Sequence, residues 1–67
     1  MLMLSTWQIR LLDEFLGLES RLCALRAFFH TDAYRAIESE DRGLLLLQED
    51  KMEDYLEVLA TRLGRLQ

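Results

Sequence analysis

Trp7 and Arg10 are the first residues of this chain whose types and spacing have a chemical use. Three apart on a helix they share a face, so an indole able to stack on a base stands beside a guanidinium able to contact a phosphate. The competing reading makes Trp7 a hydrophobic anchor packed on the end of another helix. Arg62 and Arg65 form a second basic pair near the C-terminus, and of the eight basic residues only Lys51 is a lysine. That bias suits forked contacts to phosphate or carboxylate. The plainer alternative is that the arginines are solvated or pair with some of the twelve acids.

Catalytic constellations are harder to find. The single histidine, His30, follows the single cysteine, Cys23, by seven residues, about two helical turns, and nothing orients the one toward the other. A small buried thiol and an exposed helix-end histidine account for both. The acids Asp13 and Glu14, and Glu49, Asp50, Glu53 and Asp54, fall on the expected solvent face of the helices. No glycine-rich loop is present to cradle a triphosphate, and one His with one Cys gives no zinc set, nor do the carboxylates follow a calcium-loop pattern. We therefore expect no enzyme, no metal and no cofactor.

Two seams of apolar residues must position whatever the arginines hold. In the C-terminal half Leu45, Met52, Leu59 and Leu66 recur every seven residues, with Leu56 and Leu63 four after Met52 and Leu59. In the N-terminal half Leu4, Leu11, Leu18 and Leu25 do the same, joined by Phe15, Leu22 and Phe29. Such repeats are the stripes of long packed helices, and the absence of proline leaves them unbroken. The first helix is expected over about residues 5–30, capped by Ser5 or Thr6, the second over about 40–66, capped by Ser39 with Glu40 and Asp41 in its first turn. Each spans on the order of 36 Å, so two in one short chain fold back on each other. Between them, over 31–39, Thr31 can cap a helical turn through Ala36 while Tyr34 and Ile37 tuck under the hairpin tip. The hairpin brings Trp7, Arg10, Arg62 and Arg65 to one end. Gly17 inside the first helix costs about 1 kcal/mol relative to alanine, which points either to a close approach by a backbone or bound group, or to simple tolerance.

Residues 1–67 make one domain, too short to bury a comfortable core without a staple. One cysteine allows no internal disulfide, so self-association is the remaining staple. Leu44, Leu46, Leu47 and Val58 lie off the seam and add apolar surface beyond what one partner helix covers. The fold class is all-α: an antiparallel two-helix hairpin with a short helical turn in the connection, assembled as a homo-oligomer. A formal net charge of -4 argues against DNA or RNA as partner, since a duplex binder carries a basic face, yet permits a small anion held by local arginines. The apolar MLML start is too short for a signal peptide or membrane span, so a cytoplasmic location is expected.

The run RLLDEFLGLESRLCALRAFF, a spacer containing Tyr34, and LLLLQEDKMEDYLEVLATRL together resemble the phage anti-CBASS sponge family, whose helical hairpin is shared with one class of anti-Thoeris sponge. The resemblance covers roughly Arg10 to Leu63. Its most telling pieces are Leu25 to Phe28 (LRAF), the leucines before Gln48, and Met52 with Tyr55, Leu59 and Arg62. It implies a homo-oligomer, commonly a hexamer, that binds cyclic dinucleotides or trinucleotides without cleaving them and so silences CBASS-type signalling in the cytoplasm of the infected host. The family stacks a base on an aromatic residue near the start of the first helix, usually tyrosine; by position this is Thr6 or Trp7. Its mid-helix phosphate contact falls on Arg21, and the late arginine of a separate trinucleotide site on Arg62. A reading from another class remains: an oligomeric helical interaction module whose extra leucines dock a protein.

Overall fold

A computed structural model describes residues 3–66; Met1 and Leu2 of the apolar start, and Gln67, lie outside the described residues. Three helices follow one another: α1 Thr6–Phe28, α2 Asp32–Arg35 and α3 Ser39–Gly64, with no strand among the described residues. α1 and α3 pack along their lengths as an antiparallel hairpin, giving a rod of 51 × 17 × 15 Å.

Each boundary has a local cause. Ser5 is the N-cap of α1, and the Gln8 side-chain oxygen one turn in accepts the Ser5 backbone N–H at 2.8 Å, satisfying a donor the helix cannot. At the other end the carbonyl of Phe28 takes a 2.6 Å hydrogen bond from the Thr31 hydroxyl, which in turn accepts the Tyr34 N–H at 3.2 Å. Thr31 thus closes α1 and opens α2 with one side chain. α1 therefore ends at Phe28, with Phe29 and His30 in the turn, two residues short of the expected end. α3 begins one residue earlier than expected: Glu38 occupies the cap position, Ser39 is already helical, and the Glu38 side chain makes no capping bond. Glu40 and Asp41 do sit in the first turn and Arg62 in the last, as the helix dipole favours. α3 stops at Gly64, so Leu66 belongs to the seam without being helical.

The seams meet as their spacing predicts. Leu11, Leu18 and Leu59 form the buried centre, with Phe15, Met52, Leu56, Leu63 and Leu66 packed around them; Leu22 is buried nearer the tip. At the tip Tyr34 stands edge-on to Phe28, ring centroids 5.9 Å apart, and tilted against Phe29 at 5.0 Å, closing the end of the core. Leu4, expected at the start of the seam, is exposed and precedes the first turn of α1. Cys23, expected to be buried, is exposed because its position points away from the seam.

Two polar contacts mark the sides of the rod. On one side Arg26 of α1 forks to Glu49 and Glu53 of α3, at 2.9 and 3.0 Å. On the other the Tyr55 hydroxyl of α3 donates to the Glu14 carboxylate of α1. Glu14, Glu49 and Glu53 are therefore cross-helix ties rather than members of a merely solvated face, because each lies just off a seam where the opposite helix is within reach.

Candidate functional site: a cationic flank

The Glu14–Tyr55 contact identifies the side of the hairpin on which the candidate residues gather. At about 100° per residue, the ladder Trp7, Arg10, Glu14, Gly17, Arg21 follows one side of α1, each member three or four residues from the last. On α3, Tyr55 and Arg62 are seven apart and share a side in the same way. Because Glu14 meets Tyr55, these two sides adjoin and form a single flank. The opposite flank is the one closed by Arg26, Glu49 and Glu53.

Leu59 packing between Leu11 and Leu18 sets the register and puts Arg62 and Arg65 at the same end as Arg10 and Trp7. The expected convergence at one end is thus what the antiparallel packing produces. Trp7 is 56% exposed and is not among the residues packed on the core, so the hydrophobic-anchor reading does not hold within one chain. Thr6, the other position for a stacking residue, is exposed as the first residue of α1 and offers no ring. Arg10, Arg21, Arg62 and Arg65 form no ion pair among the described residues, in contrast to Arg26 and Arg35, which bonds Asp32.

Arg21 stands apart from the rest. It is fourteen residues from Trp7, about 21 Å along the same helix, so one ligand of cyclic-dinucleotide size cannot touch both within a single chain. Its guanidinium folds back over Gly17: a methyl group built on that glycine would stand 3.4 Å from an Arg21 guanidinium nitrogen and meet nothing else of another element. Within the chain no second backbone approaches Gly17, and the nearest group is the Arg21 side chain of the same helix.

Around Arg62 the outer face of α3 is concave. An open depression of about 400 Å³ is lined by Asp54, Glu57, Val58, Thr61 and Arg62 of α3 and by Arg65, its C-cap. Its walls carry two cations and two carboxylates. Tyr55 feels both signs: the hydrogen bond to Glu14 holds its phenol above its usual pKa, desolvation and the Glu14 charge add to this, and the Arg62 cation opposes it. Arg62 is therefore close enough to act on the Tyr55 hydroxyl.

The sequence presents Glu14 only as a solvent-face acid and Tyr55 only within the family resemblance; their pairing comes from the packed register. The ladder through Trp7, Arg10, Glu14 and Arg21 was legible as i+3, i+4 spacing, but which side of α3 it adjoins needed the packed register. His30 and Cys23 are both exposed, and no hydrogen bond joins them.

The architecture is an all-helical hairpin with a cationic flank. A family model described as Sequestin matches residues 5–65, and the chain belongs to the Sequestin family. The match spans both long helices and bears out the resemblance to sequestering sponge proteins; the family name denotes holding a ligand. No curated protein and no solved structure matches the chain significantly. No helix among the described residues is long and apolar enough to cross a membrane.

Proposed function

We propose that this protein is a phage anti-defence sponge that binds cyclic oligonucleotide second messengers, cyclic dinucleotides, cyclic trinucleotides or both, and withholds them intact from CBASS-type immune effectors in the host cytoplasm. The observation that carries this reading is the cationic flank: Trp7, Arg10, Arg21 and Arg62 share one side of a Sequestin-family hairpin, exposed and without ion-pair partners among the described residues. Stacking supplies base affinity and arginines hold phosphate, at roughly 1 to 3 kcal/mol per stacked base. Sequestration needs no bond to break, and nothing in the flank pairs a nucleophile with a base.

Self-association belongs to the same proposal, a hexamer being the assembly that the resemblance implies. The accessible surface is 5338 Å², against about 4400 Å² for a compact protein of this mass. Ile9, Leu12 and Leu16 on α1 and Leu44, Leu46, Leu47 and Val58 on α3 account for much exposed apolar area. A dinucleotide contact shared by Trp7 and Arg21 then arises between protomers, which removes the 21 Å problem. A second reading rests on the same leucines: they dock a different protein, and the arginines are surface.

Thermal shift with a panel of cyclic di- and trinucleotides tests the proposal, followed by mass analysis of ligand released on denaturation. The sponge predicts stabilisation by at least one ligand class, returned intact. Arg21→Glu and Arg62→Glu should each abolish binding of a different class and leave the assembly size unchanged. No shift with any ligand, and partner loss when Leu44 or Leu47 is replaced, would favour the docking module.

A further inference from the structure

We propose that Tyr55 is a second aromatic platform of the cationic flank, oriented by Glu14, and that the pair makes the flank select nucleotides over polyanions that carry no base. This inference rests on the sponge reading and assigns to it two residues that it did not include.

Tyr55 is the only aromatic residue on α3. The residue is 45% exposed and does not belong to the packed core, so the hairpin does not use it as filling. A half-exposed tyrosine ordinarily leaves its hydroxyl to water and its ring free to turn. Here the hydroxyl is committed to a carboxylate on the opposite helix, which fixes both side-chain torsions and presents one edge and face of the ring along the flank. A platform held in place before binding loses less entropy when a base settles on it.

Its neighbours have the complementary chemistry. Glu14, where the hydroxyl is tied, lies seven residues from Trp7, about 10 Å along α1, and Arg10 stands between them. Arg62 lies two turns beyond Tyr55 on α3, toward the same end. Two aromatic residues on one flank, Trp7 and the Tyr55 whose hydroxyl is tied about 10 Å further along α1, with guanidinium groups between and beside them, fit a ligand with two bases joined through phosphate. Glu14 supplies the discrimination. Any anion between Arg10 and Arg62 must sit near that carboxylate, so an inorganic polyphosphate loses part of the attraction the arginines give. A nucleotide meets the same repulsion and recovers the loss by stacking.

The experiment compares cyclic di- and trinucleotides containing adenine or guanine with inorganic tripolyphosphate, at one ionic strength, using Trp7 fluorescence and calorimetry. Tyr55→Leu should weaken the cyclic nucleotides about 5- to 150-fold, the value of one lost base stack, and leave tripolyphosphate unchanged. Glu14→Gln, which keeps an acceptor for the hydroxyl and removes the charge, should tighten tripolyphosphate more than any cyclic nucleotide. In the unsubstituted protein the Tyr55 ring protons should move upfield during a cyclic-nucleotide titration and stay in place with tripolyphosphate, a readout that does not depend on any variant folding. Normal cyclic-nucleotide binding by Tyr55→Leu, or an unmoved Tyr55 ring in a complex that forms, overturns this assignment and leaves the sponge intact. A wild-type protein that binds no cyclic nucleotide overturns both.

Discussion

A methyl group added at Gly17 would touch only the far end of the flexible Arg21 side chain, 3.4 Å away. Within the chain, then, glycine is not required there, and Gly17→Ala should raise stability to urea by about 1 kcal/mol through helix propensity alone. A loss of stability, or a smaller assembly by light scattering, would instead show that Gly17 abuts something outside the chain. Tyr55 gives a prediction with a defined pH window. Its folded-state pKa is raised by the hydrogen bond to Glu14, so the protonated phenol is favoured in the fold. The stabilisation is fully present below the unfolded value of about 10 and is lost as pH rises through the higher folded value. Wild type should therefore melt above Tyr55→Phe at pH 8 and lose that advantage at strongly alkaline pH; parallel curves to pH 11 would refute the tie. Residue types and spacing single out Trp7, Arg10 and Arg62, whereas Arg21 comes only from the family resemblance. Glu14 reads as a solvent-face acid and Tyr55 shows no cross-helix role in its spacing, because whether an off-seam side chain reaches the other helix depends on register, which heptad spacing does not fix.

At the level of elements, the two flanks of the hairpin are closed by different means. Arg26 ties α1 to Glu49 and Glu53 on one side, and its guanidinium is held above its usual pKa chiefly by the hydrogen bond to Glu49; desolvation, next in size, opposes this, and the charges of Glu49 and Glu53 add to it. The pair is exposed and accessible to salt, so its effect is modest and ionic. Arg26→Gln should lower the melting temperature in low salt, and the difference should shrink near 1 M salt, where the screening length falls to about 3 Å. An undiminished difference would mean that Arg26 acts through packing. The helices, their antiparallel order and the Thr31-led turn were all readable from sequence, because the seams repeat every seven residues and Thr31 has a capping role at the required place. The ends were less so. Ser39 has the chemistry of a cap but lies inside α3, while Glu38 takes the cap position without a side-chain bond. Propensity identifies a capping residue; the geometry of the preceding turn decides whether it sits where the helix starts.

For the whole molecule, the radius of gyration of 15.5 Å is well above the roughly 11 Å of a compact chain of this length. Among the described residues only Leu11, Leu18, Leu22 and Leu59 are buried. A rod so thinly cored should gain much of its stability from contact with its own copies, and its melting temperature should rise with protein concentration. Leu47→Glu, at an exposed apolar position on α3, should remove that dependence and yield a smaller species by light scattering. Concentration-independent melting of the wild type would make the single hairpin self-sufficient. The sequence disclosed the surplus of leucines but not how copies share it, since neighbours outside the chain leave no periodic mark of their own. The thin core also bears on timing inside a cell. If folding is completed by assembly, the competent fraction climbs as a power of copy number: the first chains made are open to proteolysis, and capacity appears abruptly once synthesis passes a threshold. Dilution of a lysate would reverse the process, so ligand held by the assembly would be given back as the protein came apart.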